Sequence, residues 1–281
     1  MSEIEDQASR ACQKRIEMHT VAVVNGVRTV GQNPLTGGRG DSEEPGTGCT
    51  GRWRSHAFIL TAKHVLENAT PGDIRVFSFP NEDLPRRAPH EIRSQDIVDA
   101  LPVDPQRVAI HRCDWEDLAL LSGPPESFPV REFFDAKTEW IDPGAGEVLH
   151  CIGFPTDSGF VCEKQKFGQR DEWIVAVYPT LFSASVLSPP TENDLKYKIT
   201  AFDHDRHFLV PFDDAAKGKR PHGISGAAVW WESGQKRAIW RPDFKFAGVC
   251  VCCYKHGAVL QIVKASVVRR FLQEVFGPAG A

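Results

Sequence analysis

The chemistry that this sequence could perform begins at Ser225, which lies between Gly223 and Gly226 in the segment HGISGAAVW (residues 222–230). A serine hydroxyl is a poor nucleophile at neutral pH unless a base lies within hydrogen-bond distance and a carboxylate orients that base. Glycine and serine are also ordinary turn residues. The segment alone therefore favours a simple turn, and a catalytic role depends on whether other segments supply the base and the acid.

Two other segments contain a candidate base and a candidate acid. In FILTAKHV (residues 58–65), an apolar stretch typical of a strand leads to His64, where an imidazole can face a cleft. In DWEDLALL (residues 114–121), Asp117 directly precedes four apolar residues. A carboxylate that is partly buried at the mouth of a strand needs a partner, and an imidazole N–H would provide one. Asp114 is the alternative acid, and a simple exposed aspartate is the other interpretation of this segment.

The composition narrows the possible functions. The chain has 281 residues, of which 25% are charged and 41% hydrophobic, as is usual for soluble globular proteins. Its net charge of −4 does not favour nucleic acid or an anionic membrane as a partner. The first residues mix both charges without an apolar core, unlike a secretory signal, and no apolar run approaches the length of a membrane span. We therefore expect the protein in a reducing cytoplasm.

The eight cysteines are expected to be free thiols that pack as small hydrophobic side chains. Three of them lie in CVCCYKH (residues 250–256), for which a metal site is the alternative interpretation. Zinc sites usually draw paired ligands from two segments, and no second Cys-x-x-Cys or histidine pair is present. We therefore predict no metal and no cofactor, and a strand on which Cys250 and Cys252 share one face and Cys253 the other.

The elements that must position these groups are mostly strands. Short runs rich in Val, Ile, Phe and Trp are separated by Gly, Pro and Asp, and no helices alternate with them, which predicts antiparallel barrels or sandwiches. The predicted strands are 20–24, 56–62, 73–79, 107–110, 117–121, 147–154, 172–178, 227–231, 246–254 and 258–263.

Helices are predicted only near the two ends of the chain. Residues 3–16 could form a short amphipathic helix, and 264–276 have apolar residues at helical spacing, with Gly277 and Pro278 as a stop. Two stretches rich in Gly, Pro and polar residues, 31–48 and 128–146, are predicted as loops, and the second would connect two lobes.

Three motifs together resemble those of the chymotrypsin-like (trypsin-like) serine peptidases. TAKH (61–64) matches Thr-Ala-x-His, DLAL (117–120) matches the Asp-Leu-Ala-Leu type segment, and GISG (223–226) matches Gly-x-Ser-Gly. The histidine, aspartate and serine follow one another in the order of that family. VLHCIGFP (148–155) also resembles the opening strand of the second barrel in bacterial and HtrA-like members. The resemblance covers residues 20 to about 271.

The resemblance implies both a fold and a division of the chain. It implies an all-β protein of two six-stranded antiparallel β-barrels, with a C-terminal helix and a short N-terminal helix. Residues 1–127 would form the barrel that carries His64 and Asp117, and 128–146 would form the connection. Residues 147–281 would form the barrel that carries Ser225, together with the C-terminal helix.

The resemblance also implies a role for each group. His64 would be the general base and then the general acid, and Asp117 would hold its tautomer and stabilise the imidazolium. Ser225 would attack the scissile carbonyl and form an acyl-enzyme. The backbone N–H groups of Gly223 and Ser225 would stabilise the oxyanion.

Substrate contacts are implied at three further positions. AGVCV (247–251), with Val249 at its centre, resembles the strand that pairs with the substrate backbone. The residue six positions before the nucleophile is Lys219, which would favour an acidic substrate side chain, although a solvated loop is the alternative for this charged stretch. His222 would line the entrance of the pocket.

Departures from the family suggest how activity would be controlled. Ile224 stands where secreted members have an aspartate that pairs with a newly cut N-terminus, and no Ile-Val-Gly-Gly start is present. Val65 stands where those members have a half-cystine, and no PDZ-like segment follows the second barrel. We therefore expect a polypeptide substrate and regulation by a protein partner, a ligand or loop ordering, rather than activation by propeptide cleavage.

Two other functions are alternatives to the peptidase. An α/β-hydrolase needs a strand before its serine, a helix after it and the order Ser, Asp, His, none of which fits here. A catalytically inactive trypsin-like fold that serves as a protein-binding scaffold is the main alternative, because fold alone does not imply function.

Overall fold

The computed structural model describes residues 16–25, 46–70, 74–78, 90–93, 106–128, 132–154, 160–167, 170–177, 180–193, 201–212, 223–232, 244–254 and 259–278. Within these residues the protein contains three β-sheets, one complete α-helix and short 3₁₀ turns. The strands of the first two sheets are β1 (Thr20–Asn25), β2 (Gly46–Trp53), β3 (His56–Thr61), β4 (Ile74–Ser78), β6 (Ala109–Arg112), β7 (Ala119–Gly123), β8 (Phe134–Asp135), β9 (Val148–Gly153), β12 (Thr180–Ser185), β13 (His207–Pro211), β14 (Ala228–Glu232), β15 (Phe244–Tyr254) and β16 (Val259–Lys264). The third sheet contains β5 (His90–Arg93), β10 (Phe160–Phe167) and β11 (Arg170–Val177).

The first sheet holds the segments with the candidate base and acid. Its antiparallel strands follow the order β4-β1-β2-β3-β7-β6, and the short β8 adds to β2 in parallel. In this order β3 pairs directly with β7, with Thr61 opposite Ala119. The end of β3 therefore lies beside the start of β7.

The second sheet holds the segment with the candidate nucleophile. Its six antiparallel strands follow the order β12-β9-β14-β15-β16-β13. The third sheet, in the order β10-β11-β5, pairs strands from both halves of the chain. The connection between the first two sheets contacts both of them, since β8 pairs with β2 and Trp140 forms a bridge with Phe246 of β15.

Three apolar clusters explain why many strands read as continuous hydrophobic runs. One cluster, which includes Ile59 and Leu121, belongs to the first sheet, and a second, which includes Val229 and Leu260, belongs to the second sheet. A third cluster joins residues of both sheets, including Phe58 and Trp230. We call each of these two sheets, with its own cluster, a lobe, and the third cluster the inter-lobe cluster. Because successive side chains of a strand point to opposite faces, β3 and β14 each bury one face in their own lobe and the other face in the inter-lobe cluster.

The C-terminal helix α1 (Ala265–Phe276) seals the space between the two sheets. Its apolar face packs in the inter-lobe cluster, where Phe271 and Leu272 are buried. At its end, Phe276 stacks on His56 at 5.1 Å between ring centroids, and the Trp53 indole N–H donates to the Gly277 carbonyl at 3.2 Å. The helix follows β16 directly and so fastens the second lobe to the first.

These observations confirm the prediction of a mostly β protein with two main antiparallel units and a C-terminal helix. Each of the two main sheets has a six-stranded path, and the first carries β8 in addition. All the predicted strands are present with shifted ends. Apart from its last residue, the predicted helix at 3–16 lies outside the described residues. No helix in the described ranges is long and apolar enough to cross a membrane.

Several details of the sequence prediction were wrong. Residues 46–48 do not belong to a loop but begin β2, and six strands were not predicted: β2, β5, β8, β10, β12 and β13. Cys250 and Cys252 do not share a face, because a β-bulge between them shifts the register of β15 against β16. Cys250 packs in the cluster of the second lobe together with Cys253, whereas Cys252 packs against the inter-lobe cluster.

Candidate active site

His64 and Asp117 form a hydrogen-bonded pair. His64 lies in a 3₁₀ turn (Lys63–Leu66) just after β3, and Asp117 lies in the bend just before β7, so the pairing of these strands brings them together. His64 Nδ1 lies 2.6 Å from Asp117 Oδ2, and the His64 backbone N–H donates to Asp117 Oδ1 at 3.1 Å. The Lys63 N–H donates to the Asp117 carbonyl at 3.2 Å. Backbone and side chain of the aspartate are therefore both tied to the histidine turn.

This arrangement fixes the protonation pattern of the imidazole. A carboxylate only accepts hydrogen bonds, so the proton of a neutral His64 resides on Nδ1 and the ring lone pair resides on Nε2. The side chains of His64 and Asp117 are 46% and 35% exposed, so substrate-sized molecules can approach the pair.

Ser225 lies in a tight turn that precedes β14. The Ala227 N–H donates to the Ile224 carbonyl at 2.8 Å, and the Gly226 N–H donates to the Cys250 carbonyl of β15 at 2.7 Å. Gly226 has a φ of +90°, a conformation that glycine adopts at no steric cost. A Cβ on Gly226 would lie 1.9 Å from the Thr47 carbonyl oxygen and 2.2 Å from Thr61 Oγ1, so only glycine fits there.

Thr47 of β2 anchors this turn to the first lobe. Its N–H donates to the Ser225 carbonyl at 2.8 Å, and its hydroxyl donates to the Gly223 carbonyl at 2.7 Å. Its own carbonyl accepts the Thr61 hydroxyl at 2.7 Å, and Thr61 ends the strand that leads to His64. Through Thr47, the turn with Ser225 is thus fixed against β2, the strand that pairs with β3.

The side chain of Ser225 is not hydrogen-bonded to the pair formed by His64 and Asp117. The half-buried Ser225 hydroxyl makes no hydrogen bond to any residue in the described part of the chain. Bonds between a nucleophile and its base are often long until substrate binds and tightens them. The structure therefore brings His64 and Asp117 into direct contact and places Ser225 on a rigid turn against the neighbouring strand.

The backbone around Ser225 offers donors for an oxyanion. Gly223 has a φ of +89°, and its carbonyl is held by Thr47. The Ile224 carbonyl points to the Ala227 N–H, so the Ser225 N–H, on the other side of the same trans peptide, points away from Ala227. The Gly223 and Ser225 N–H groups donate to no acceptor among the residues that the structure describes.

The loop that carries Asp117 is supported from several sides. The Asp117 N–H donates to Glu116 Oε1 at 3.1 Å, and Lys63 Nζ donates to the Cys113 carbonyl at 2.8 Å. Burial raises the pKa of the Glu116 carboxyl, but hydrogen bonds from His207 and the Asp117 N–H, together with nearby positive charge such as that of Arg206, outweigh burial. The pKa therefore lies below its ordinary value. Glu116 is therefore a carboxylate at neutral pH.

The end of β15 also lies near the pair. Burial and the charge of the Asp117 carboxylate both raise the pKa of the Cys252 thiol, which sits on β15 just after the bulge. Three segments from the two lobes thus converge on this aspartate: the histidine turn, its own loop and β15.

The other predicted site residues have different positions. Lys219 and His222 lie outside the described residues. Val249 is fully buried in the inter-lobe cluster, and its backbone lies between β14 and β16, so the structure does not present it to a substrate. Asp114 is exposed, and the carboxylate that meets His64 is that of Asp117.

The cysteine-rich strand does not form a group of metal ligands in the described part of the chain. Burial raises the pKa of the Cys151 and Cys250 thiols, which act as core side chains. Among the described residues, one group of three could hold a metal ion: Asp203, His204 and Asp205, on the surface. Asp203 already binds the Arg206 guanidinium at 2.8 Å, and His204 contacts Asp205 at 3.0 Å.

Two residues that build the site were missed from the sequence. Thr47 stands between two glycines at the end of a polar stretch, a pattern that is typical of loops. Glu116 is adjacent to Asp117, and that adjacency was the one available sign of a supporting role. Neither residue type is distinctive without the fold that surrounds it.

Comparison with known proteins gives similarity in shape only. No protein-family model and no curated protein matches the chain. The VesB protease of Vibrio cholerae is similar to it with a TM-score of 0.47 and 13% identity, over 92% of this chain and 63% of that one. Kallikrein-related peptidase 10, in complex with Zn²⁺, is similar with a TM-score of 0.46 and 14% identity, over 92% and 95% of the two chains.

One similar structure is thus a protease and the other a peptidase, and this chain spans less than two thirds of the length of VesB.

Proposed function

We propose that this protein is a serine endopeptidase in which Ser225, His64 and Asp117 form the catalytic triad. The observation that carries the proposal is the hydrogen bond of 2.6 Å between His64 Nδ1 and Asp117 Oδ2, reinforced by the His64 N–H on the other carboxylate oxygen. A surface histidine and aspartate need no such two-point contact for folding. The contact does orient an imidazole whose Nε2 must accept a proton.

The proposed reaction begins with attack of the Ser225 hydroxyl on the carbonyl carbon of a peptide bond. His64 Nε2 takes the hydroxyl proton as the new C–O bond forms, and Asp117 stabilises the resulting imidazolium. The carbonyl oxygen becomes an oxyanion that the Gly223 and Ser225 N–H groups bind. His64 then gives its proton to the leaving amine as the C–N bond breaks, which leaves an acyl-enzyme.

Water completes the reaction by the same steps. His64 takes a proton from the water as its oxygen attacks the acyl carbon, and the Ser225 oxygen leaves with that proton. The products are the new carboxyl terminus and free enzyme. Each step needs the Nδ1 proton to remain on the side of Asp117, which is the tautomer that the carboxylate selects.

The substrate is proposed to be a specific partner protein, processed in a reducing compartment. The described cysteines are all free thiols, which supports such a compartment. The substrate backbone is proposed to run along β15 near the bulge at Val251, since the pairing of β15 with β14 ends at Val249 and the strand continues past the site. Lys219 and His222 remain proposed contacts for the substrate side chain.

A fluorophosphonate probe tests the triad directly, because it labels only activated serines. We expect labelling of Ser225 in the wild type and none in Ser225→Ala or His64→Ala. The matched control is Ser183→Ala, since Ser183 is an exposed serine whose hydroxyl lies 2.8 Å from His150 Nδ1 in the same lobe. Label that persists in Ser225→Ala and disappears in Ser183→Ala would overturn the proposal. A folded wild type that takes no label would favour the inactive scaffold.

The restricted specificity needs a separate experiment. We expect that mapping of new protein termini in cells that express the wild type, compared with Ser225→Ala, identifies a small set of cleavage sites. Purified wild type should leave casein largely intact. General degradation of casein would contradict narrow processing while leaving the triad in place.

A further inference from the structure

The loop that carries Asp117 is held by two residues of the second lobe. Arg206 Nη1 donates to the Trp115 carbonyl at 2.8 Å and lies 3.3 Å from Glu116 Oε2. His207 Nε2 lies 3.0 Å from the same carboxylate oxygen. The other oxygen, Glu116 Oε1, accepts the Asp117 backbone N–H at 3.1 Å. A chain of contacts therefore runs from the second lobe through Glu116 to the aspartate of the site.

The direction of the bond between His207 and Glu116 follows from the other side of the ring. The Asp203 backbone N–H donates to His207 Nδ1 at 3.0 Å, so Nδ1 is an acceptor and the ring proton resides on Nε2. His207 therefore donates to the carboxylate as a neutral imidazole. Both side chains are buried, with 2% of His207 and 8% of Glu116 exposed, so neither bond is easily replaced by water.

We propose that Glu116 is a positioning residue for Asp117, and that His207 holds Glu116 in place from the second lobe. The backbone of Asp117 is then fixed on both sides, since its N–H donates to the Glu116 carboxylate and its carbonyl accepts the Lys63 N–H. The orientation of the carboxylate toward His64 depends on that peptide. The kinetic consequence rests on the proposed function, whereas the positioning of Asp117 does not.

Glu116→Gln can keep only one of the two hydrogen bonds that Glu116 accepts, from the Asp117 N–H and from His207 Nε2. The carboxylate accepts at both oxygens, but an amide has a single acceptor oxygen, so its NH₂ must face either the Asp117 N–H or the His207 Nε2–H. Glu274→Gln is the matched control, because Glu274 Oε2 accepts the Trp115 indole N–H at 2.9 Å and so contacts the same loop. The control loses the same charge without touching the Asp117 peptide.

Two measurements test whether Glu116→Gln disturbs Asp117. The first is the low-field proton resonance of the His64 Nδ1–H, identified by its loss in His64→Ala, which reports the His64–Asp117 bond without any need for catalysis. The second is the rate of fluorophosphonate labelling at Ser225. In Glu116→Gln we expect the resonance to move or broaden and the labelling rate to fall on the order of tenfold to a hundredfold, because small misplacements of catalytic groups have effects of this size. Glu274→Gln should match the wild type in both.

The results distinguish this proposal from the proposed function. A resonance and a labelling rate that stay at wild-type values in folded Glu116→Gln would overturn the positioning role while the peptidase stands. A resonance that changes in Glu116→Gln, in a protein whose Ser225 takes no label, would uphold the positioning role and refute the peptidase. If Glu116→Gln does not fold, two variants of His207 replace it. His207→Gln retains a donor near the position of Nε2 and should keep the wild-type resonance and labelling rate, whereas His207→Asn should change both. Equal behaviour of these two variants would also overturn the proposal.

Discussion

Replacement of Asp117 by asparagine tests the proposed chemistry with little change in shape. The carboxylate accepts two hydrogen bonds, from the His64 backbone N–H at 3.1 Å and from Nδ1 at 2.6 Å. Asparagine has one acceptor oxygen and one NH₂ group, so only one of these bonds can keep its present direction. The question is which of them is kept.

The backbone N–H should keep the oxygen. It is a donor in every protonation state, so an NH₂ placed opposite it would leave two donors facing each other. The imidazole can adapt, because its proton can move to Nε2 and let Nδ1 accept from the NH₂. All hydrogen bonds are then satisfied, but Nε2 carries a proton and His64 can no longer accept the one from Ser225. This wrong tautomer is expected to lower the rate of labelling or turnover by about 10⁴-fold, which is about 5.5 kcal/mol of activation free energy.

Stability should change much less than the rate. The pair is 46% and 35% exposed, and exposed ion pairs contribute about 0–1 kcal/mol. The assay is the second-order rate of fluorophosphonate labelling at Ser225, with the melting temperature measured on the same samples. Asp114→Asn is the control, because it removes the same charge from an exposed position of the same loop. A rate within tenfold of wild type in Asp117→Asn would refute the tautomer argument, and so would an equal loss of rate in Asp114→Asn.

Three further predictions concern the framework of the site. Gly226→Ala should lower the melting temperature far more than Gly277→Ala. Both glycines have a positive φ, which costs other residues about 1–3 kcal/mol, but an added Cβ meets the Thr47 carbonyl at Gly226 and nothing within 4 Å at Gly277. Similar melting temperatures of the two variants would contradict this prediction. Thr47→Val should cost about 2 kcal/mol or more in urea unfolding, because the hydroxyl donates to the buried Gly223 carbonyl and accepts the Phe154 N–H at 3.1 Å; an unchanged midpoint would show that these bonds contribute nothing. A thiol reagent at pH 8 should leave the buried Cys49, Cys151 and Cys250 unmodified in the native protein, because burial raises the pKa values of their thiols and only the thiolate reacts. Mass spectrometry of peptides measures the labelling, and rapid labelling of any of the three would contradict this prediction.

Two strands that are buried on both faces, β3 and β14, could be predicted from the sequence, whereas the glycine-rich β2 could not. β3 and β14 carry long apolar side chains in a row, because one face lies in a lobe and the other between the lobes. β2 carries glycines instead, since the side chains of its neighbours fill the space beside it. A Cβ on Gly51 would lie 2.4 Å from the Phe58 ring, and one on Gly48 would lie 2.8 Å from Ile59. Such a strand has the composition of a loop until its neighbours are known.

The β-bulge in β15 was equally hidden. Alternation predicts one set of faces for consecutive residues, and a single extra residue reverses it from that point onward. The bulge between Cys250 and Cys252 moves Cys252 toward the inter-lobe cluster and Asp117. Nothing in the local sequence CVCC specifies it, because the register is set by pairing with β16.

The available groups, and roughly where each lies in a strand or a turn, follow from the sequence alone. The residue types of His64, Asp117 and Ser225, their order and the apolar runs beside them are local properties, and local properties can be read from one segment at a time. Only the tertiary structure decided how these groups are held. Thr47 reaches Gly223 across 176 positions of the chain, and His207 reaches Glu116 across 91. Contacts of that range leave no periodic pattern in a sequence, because they arise only when strands from different parts of the chain pack together.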